Sequence, residues 1–374
     1  MRVLQITKWF IPYRGGVETV VEQLAGGLIE RGIDTRVLTC HQQLHLKDSV
    51  ERIGAMPVIR SQSLGNYFGT PVSLTYPSHY RRLVREADVI HMHAPFPIGE
   101  LVYSWADLQG RTLIVTFHAD PGQTRWQVLE SLYRPIISRV LGRADQIVVT
   151  SPQMRDGPEL LREHREKCTV IPLASNVCPR ELSPTEVERA KSEEGISGRS
   201  VLLGVGRMVY YKGFQYAIEA MKSVDAELIL VGEGEDLEEL RDRAQELGVS
   251  ERVHFPGYVS EAELSRYYGM ADIFVFPSIA SAEAFGIVQV EAMAHGLPVI
   301  NTRLPTGVPF VSKHEETGLT IEPRNTTALA SAINRLLDDE SLRRRLSQNA
   351  KERASNFSEK KMVNKYVNTY KEFI

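Results

Sequence analysis

At 374 residues, with 43% hydrophobic and 24% charged side chains, the chain has the size and composition of a two-domain globular protein. A formal net charge of -3 leaves no basic surplus for a nucleic-acid partner, and no apolar run reaches the ~20 residues that a membrane span requires. The cysteines, Cys40, Cys168 and Cys178, are scattered and odd in number, which fits a reduced cytoplasm better than a disulfide scaffold. The charge is uneven: the first half carries a basic excess and the second an acidic one. The sequence opens directly on a strand pattern, without the basic and apolar segments of a signal peptide.

Residues 2–7 (R-V-L-Q-I-T) predict a buried strand, residues 8–16 a loop ending in Gly15-Gly16, and residues 17–31 a helix with Gly32 as its stop. Further strands are predicted at 35–40, 88–92, 112–117, 146–150 and 169–171, with helices at 76–86, 97–108, 124–141 and 152–164. The stretch 173–198, with prolines, Gly195, Gly198 and a run of charges, is expected to be the domain linker. A second series follows. Its strands fall at 201–206, 227–231, 253–255, 273–276, 299–300 and 319–321, and its helices near 213–222, 236–247, 260–268, 286–295, 326–337 and 340–354. A last helix is expected at about 358–373. Strands that alternate with helices imply parallel α/β sheets, and doubly wound sheets bind ligands beyond the carboxyl ends of their strands.

The residues with chemistry to offer cluster at those strand ends. Glu283 to Glu291 read E-A-F-G-I-V-Q-V-E, between the strand ending at Pro277 and a helix ending near Gly296. A helix N-terminus at Gly286 suits phosphate, whereas Glu283 and Glu291 on either side would repel it and suit hydroxyls. One motif then fits a ligand with a diphosphate in the middle and polyols at both ends. Arg207 and Lys212 follow another strand, where two cations beside a helix N-terminus would neutralise a diphosphate. Gly15-Gly16 forms a strand-to-helix turn open to a phosphate or simply a turn, and Gly232-Glu233-Gly234 repeats the pattern more weakly. His118 ends the strand T-L-I-V-T-F. His91 and His93 flank Met92 at a further strand end, where they are expected at most to line a cleft; a metal would need a third ligand, and none stands out.

With Pro277-Ser278 before it and E-A-M-A-x-G-x-P-V after it, the E-x-F-G and Glu-x7-Glu pattern resembles the signature of retaining GT-B glycosyltransferases of family four, and the likeness extends over nearly the whole chain. It implies an α/β fold of two doubly wound, Rossmann-like domains facing across a cleft. Residues 1–178 would be the acceptor side, joined by the C-terminal helix 358–374, and residues 195–355 the nucleotide-sugar-binding side. It also implies roles. Gly15 and Gly16, in W-F-x-P-x-x-G-G-V-E, would face the donor diphosphate and the acceptor. His118, in T-F-H-A-D, would lie beside the donor sugar and complete the site on closure, and Asp120 matches an acid frequent there. Arg207 and Lys212 would clamp the diphosphate. Gly232 would lie near the nucleotide, and Tyr258, in F-P-G-Y-V, in the loop that meets the base. Phe285, Gly286 and Ile287 would touch the donor, Glu291 would hold the ribose, and Glu283 would hold the sugar hydroxyls without acting as a covalent nucleophile. Where much of the family reads I-P-N-G-V-D, this chain reads I-P-L-A-S-N-V at 171–177. Where many members carry Gly-Gly and then Glu, it reads N-T-R-L-P-T-G-V-P-F-V-S. The latter looks like a subset of bacterial surface-polysaccharide mannosyl- and related transferases and puts the loop 304–308 near the donor.

The expected activity is retaining transfer of a hexose from a nucleotide-diphosphate sugar, with GDP-mannose first and UDP-sugars second, to a glycan or lipid-linked acceptor, without an essential metal or other cofactor. Two rivals stand beside it: a sugar-nucleotide epimerase or phosphorylase on the same architecture, and a non-catalytic nucleotide-sugar binding module. Residues 124–143 mix Arg125, Arg134, Arg139 and Arg143 with Trp126, Leu129, Leu132, Ile136, Ile137 and Val140, and Tyr80, Arg81, Arg82 and Arg85 form a second group. Such a helix can lie on anionic lipid at the inner face of the plasma membrane, although an amphipathic helix packed on the sheet explains the same pattern and is the preferred reading.

Overall fold

The structure is a computed structural model that describes residues 1–13, 15–67, 69–105, 110–119, 127–175, 179, 182–196 and 198–374, with the side chains of 127–131 also outside the description. The chain divides into two compact units, residues 1–174 with 358–374, and residues 175–357.

In the first unit the strands are β1 (Arg2–Ile6), β2 (Asp34–Cys40), β3 (Ser49–Ile53), β4 (Met56–Ser61), the two-residue pair β5 (Asn66–Tyr67) and β6 (Thr70–Pro71), β7 (Val89–Ala94), β8 (Thr112–Phe117), β9 (Gln146–Val149) and β10 (Cys168–Val170). The sheet runs β10-β9-β8-β7-β1-β2-β4-β3, parallel throughout except for the antiparallel edge strand β3. The helices are α1 (Gly16–Glu30), α2 (Tyr76–Glu86), α3 (Pro97–Trp105), α4 (Gln127–Arg143) and the short α5 (Pro152–Asp156) and α6 (Glu159–Arg162). Strand order reverses between β1 and β7, so the carboxyl ends of those two strands form the unit's topological switch point.

The second unit contains β11 (Val201–Val205), β12 (Glu227–Val231), β13 (Val253–Gly257), β14 (Ile273–Phe276), β15 (Val299–Thr302) and β16 (Gly318–Ile321). Its helices are α7 (Pro184–Glu193), α8 (Phe214–Ala220), α9 (Leu237–Glu246), α10 (Glu261–Met270), α11 (Ile287–Ala294), α12 (Val308–Val311), α13 (Thr326–Asp338) and α14 (Glu340–Ala354). The sheet is parallel, in the order β13-β12-β11-β14-β15-β16, with its switch point between β11 and β14. V-L-L-G-V, E-L-I-L-V and I-F-V-F are buried along their whole length, as strands covered by helices on both faces must be. The last helix, α15 (Glu359–Lys371), returns to the first unit and buries Met362, Val363, Tyr366, Thr369 and Tyr370 there.

The structure corrects the sequence reading at three places. The edge pair β3–β4 was not expected, because S-V-E-R-I is mostly exposed and lacks an apolar face. The helix expected at 152–164 breaks at Gly157-Pro158 into α5 and α6, since proline disfavours a helical residue before it. The expected linker contains α7, started by a capping box in which the Ser183 hydroxyl accepts from the Glu186 N–H and the Glu186 carboxylate accepts from the Ser183 N–H. Cys40 and Cys168 are free thiols, and burial pushes them up to about 12 and about 11; Cys178 lies outside the described residues.

Candidate functional site

In the second unit the sequence-predicted residues gather at the switch point. The chain leaves β11 through Gly206 and Arg207, makes a 3-10 turn over Tyr210–Lys212 and enters α8. It leaves β14 through Pro277 and Ser278 and enters α11 at Gly286. A backbone bond from Ile279 N–H to Tyr211 C=O, 2.8 Å, ties the two loops together. Lys212 and Glu283 thereby meet in an ion pair of 2.6 Å, with side chains 11% and 10% exposed. Ser278 Oγ donates to the same Glu283 oxygen at 3.3 Å, and the Lys212 ammonium also lies 5.1 Å above the Phe276 ring. Arg207 is exposed and donates to the Tyr211 hydroxyl at 3.1 Å.

Gly286 is the N-cap of α11, with φ +74°, a backbone conformation that side chains with a Cβ adopt at a cost. A Cβ there would come within 2.6 Å of the Phe276 ring. The glycine expected to admit a ligand is therefore required by the protein's own packing. Gly286→Ala is expected to destabilise the second unit by about 1–3 kcal/mol from backbone strain alone, read as a lowered denaturation midpoint. Phe285 is also an interior residue. It is 2% exposed and packs edge-on against Phe357 at 6.0 Å, so only its backbone is left for a ligand. Ile287 opens the helix and is partly exposed; the N–H groups of a first helical turn lack i−4 partners, and of those in α11 Gln289 N–H donates to the Gly286 carbonyl at 2.9 Å.

Glu291 lies one turn into α11. Tyr268 of α10 donates its hydroxyl to Glu291 Oε2 at 2.9 Å and stacks on His295 at 4.9 Å, while His295 Nδ1 lies 2.9 Å from the Glu291 carbonyl. Burial pushes the Glu291 carboxyl up to about 7, against the pull of the Tyr268 bond. Tyr268 was not read from the sequence; its one aromatic neighbour in R-Y-Y-G-M, Tyr267, was the available sign of a packed face.

Gly232 follows β12, and a Cβ there would sit 2.1 Å from the Gly206 carbonyl, so the glycine lets the chain past β11 and the chain past β12 touch. Its N–H donates to the Gly257 carbonyl at 2.9 Å, which joins it to the loop bearing Tyr258, itself 74% exposed. The loop 304–308 lies against the motif as well: Gly307 N–H donates to the Ala284 carbonyl at 2.7 Å.

In the first unit, Gly15 caps α1 and Gly16 is its first residue, with open space where a Gly16 side chain would project. His118 follows β8, is 5% exposed, and donates its N–H to the Ala94 carbonyl. Its Nε2 lies 2.9 Å from His93 Nδ1. Burial drives His118 down to about 4 and His91 to about 3, and His93 falls well below its ordinary value for the same reason. His91 and His93, expected at most to line a cleft, are 0% and 2% exposed and belong to a buried polar network. Asp120 lies outside the described residues. Among the described residues, no group of three or more His, Cys, Asp or Glu side chains is placed to hold a metal ion.

Of the suspected membrane face, Arg125 and Trp126 lie outside the described residues, as does the side chain of Leu129. In α4, Ile137, Val140 and Leu141 pack inward; Leu132 is 67% exposed, and Arg139 lies over the ring of the exposed Trp105 at 5.1 Å. Tyr80, grouped with that face by sequence, is instead buried at 1% exposure among aromatic rings, whereas Arg81, Arg82 and Arg85 are exposed. Among the described residues, no helix is long and apolar enough to cross a membrane.

Comparison with known proteins gives matches along most of the chain. Residues 186–353 match the family model for glycosyl transferases group 1, and residues 14–176 match that for glycosyltransferase family 4. The chain is 33% identical over 356 residues to the D-rhamnosyltransferase WbpZ of Pseudomonas aeruginosa, covering 94% of this chain and 91% of that protein. It is 30% identical over 372 residues to the O-antigen chain mannosyltransferase C of Escherichia coli, covering 99% and 98%. Its fold is similar to that of Anabaena Alr3699/HepE in complex with UDP-glucose, with a TM-score of 0.79, 20% identity and all of both chains covered.

Proposed function

The chain belongs to the group 1 glycosyltransferases and has their GT-B fold of two doubly wound Rossmann-like domains, and from that membership we propose that it transfers a mannose-type hexose, with retention, from a nucleoside-diphosphate donor to a hydroxyl of a glycan or lipid-linked acceptor in O-antigen or related polysaccharide assembly. The observation that carries this reading is the Lys212–Glu283 ion pair beside the N-terminus of α11, with Glu291 one turn further on. It offers positive potential for a diphosphate and carboxylates for the hydroxyls on either side. The mannose assignment is supported by the names of the two relatives. D-rhamnose is 6-deoxy-D-mannose, so both act on sugars of one stereochemical series.

In the reaction, the bond from the anomeric carbon to the donor phosphate breaks, and the nucleoside diphosphate leaves. Lys212, Arg207 and the α11 N–H groups stabilise the charge that develops on it. A new bond forms from the same face to the acceptor oxygen, whose proton passes to the leaving phosphate. Glu291 holds the ribose diol, Glu283 holds sugar hydroxyls, and His118 contacts the donor sugar. Because fixed cations and helix dipoles do the neutralising, the reaction needs no divalent metal. A lipid-linked acceptor would bring the protein to the cytoplasmic face of an anionic membrane, where Trp105, Leu132, Arg81, Arg82, Arg85 and Arg139 supply exposed apolar and basic contacts.

The test is a thermal-shift panel of GDP, UDP, ADP and their sugars, with EDTA throughout. GDP-mannose at a hundred times its Kd is expected to add about 2.7 kcal/mol of stability, or roughly 5–10 °C for a unit of this size. A response to UDP-sugars alone would remove the mannose assignment and leave a UDP-sugar-dependent transferase of the same family. Turnover of the donor without an acceptor would favour an epimerase.

A further inference from the structure

Six hydrogen bonds join seven side chains of the first unit into one unbranched chain. His118 Nε2 lies 2.9 Å from His93 Nδ1, and His93 Nε2 lies 2.7 Å from Gln5 Oε1. Gln5 Nε2 donates to the Tyr370 hydroxyl at 3.3 Å, and that hydroxyl lies 2.7 Å from His91 Nδ1. His91 Nε2 lies 2.7 Å from Thr116 Oγ1, which lies 2.9 Å from the Tyr366 hydroxyl. All seven residues are at most 5% exposed.

The fold explains why they meet. Gln5 and His91 are register partners on β1 and β7, and His93 and Thr116 on β7 and β8. Residues two apart on a strand face the same way, so His91 joins His93, and Thr116 joins His118 just past its strand. From the other side, Tyr366 and Tyr370 stand one above the other, four residues apart on α15. The network therefore sits at the unit's switch point and includes the helix that returns from the far end of the sequence.

Proton accounting gives the network a direction. The three rings are neutral at pH 7, because burial lowers each of them. A neutral imidazole has one N–H and one lone pair. The Gln5 amide places its oxygen toward His93, and an amide oxygen only accepts, so His93 carries its proton on Nε2. The bare His93 Nδ1 then accepts from His118, whose proton is on Nε2. The Gln5 amide nitrogen only donates, so Tyr370 accepts from it and gives its own proton to His91 Nδ1; His91 Nε2 then donates to Thr116, and Thr116 to Tyr366. No link sets donor against donor. Turning the one amide over would reverse every proton in the chain.

We propose that Gln5, held by Tyr370 of the C-terminal helix and acting through His93, is the positioning residue that fixes the tautomer of His118, so that the ring offers a lone pair at Nδ1, and not an N–H, to a hydroxyl of the donor sugar. The role of the lone pair rests on the assignment of His118 to the donor sugar; the tautomer itself does not. A hydrogen bond that can form only in one tautomer makes the competent fraction of enzyme depend on an amide far along the chain from the sugar.

The test uses the full chain labelled with 15N at histidine, with the ring nitrogens read by long-range proton–nitrogen correlation at pH 7 and His118 assigned by the signal missing from His118→Gln. The expected spectrum shows His118 protonated on Nε2 and bare on Nδ1. A wild-type His118 protonated on Nδ1 overturns the proposal without any further variant. In Tyr370→Phe the amide loses its anchor, and a second His118 tautomer is expected, with transfer activity falling in step with the loss of the first. A His118 tautomer unchanged in Tyr370→Phe, or a changed one with full activity, contradicts the proposal. Because the tautomer is measured without substrate, its failure is distinct from that of the glycosyl-transfer reading, which the nucleotide panel tests.

Discussion

Lys212→Ala is expected to lower kcat/KM by about 10²–10³, the loss typical when one fixed donor to a developing negative charge is removed. It is expected to destabilise the protein as well. The ammonium is paired at 2.6 Å with Glu283 where both side chains are about nine-tenths buried, so its removal leaves a carboxylate buried without its counter-charge. Breaking such a pair from one side costs about 3–5 kcal/mol. The two effects separate in the double variant Lys212→Met with Glu283→Gln, which removes both charges and keeps much of the volume. Its denaturation midpoint is expected near that of the parent, while its activity stays at the level of Lys212→Ala or below. Full activity in that stable double variant would show that the pair serves the fold alone.

The second large effect is expected at Glu291, where stability and function pull in opposite directions. The carboxyl has an ordinary value of 4.5 and sits at about 7 in the folded protein. Between those values the folded state holds a proton that the unfolded chain has released. The stability that this group provides is thus complete below about 4.5, is lost as pH rises toward 7, and changes no further above it. At 1.36 kcal/mol per unit, the loss is on the order of 3 kcal/mol. Glu291→Gln removes the titration and keeps an oxygen to accept from Tyr268. At pH 8 it is expected to raise the melting temperature by several degrees, at roughly 2–4 °C per kcal/mol for a unit of this size. The same variant loses the carboxylate that grips the ribose diol, so donor binding is expected to weaken about tenfold or more, as when a charge-assisted bond worth roughly 1.5–3 kcal/mol is lost. The parent's donor affinity should itself rise with pH through 7, and the variant's should not. Calorimetric titration with GDP at pH 6 and pH 8 checks both statements; a parallel pH dependence in the two proteins would remove Glu291 from the donor site.

Most of the fold was legible because parallel strands covered on both faces are nearly unbroken apolar runs, as in Val201–Val205 and Ile273–Phe276, and because glycine or proline punctuates their ends. The β3–β4 edge was hidden because its stability is not local. Arg60 of β4 is buried by donating to the Phe10 and Ile11 carbonyls and to Glu51, contacts that a hydropathy pattern cannot register. The α7 start was in plain view as Ser183-x-x-Glu186, but the prolines around it outweighed the capping signal. At the site, the spacing from Glu283 to Glu291 and the cations after β11 were legible as short motifs. The Lys212–Glu283 pair was not, since it depends on β11 and β14 lying side by side although they are far apart in sequence. Tyr268 behind Glu291 and Gln5 behind His93 belong to the same class: each is a long-range partner whose meaning comes from the strand order and helix packing. The alternation of polar residues along His91–His93 and Thr116–His118 was the available trace of the buried network, and it reads more easily as a cleft wall until Tyr366 and Tyr370 are seen to cover it.

The decisive experiment is transfer from GDP-α-D-mannose labelled with 13C at the anomeric carbon to a lipid-linked glycan acceptor, in EDTA, with the configuration of the new linkage read from its one-bond carbon–proton coupling. Metal-independent retaining transfer gives an α-mannosyl product without added metal, and that product is lost in Lys212→Ala. A β-mannosyl product, or transfer that occurs only when a divalent cation is restored, would contradict it.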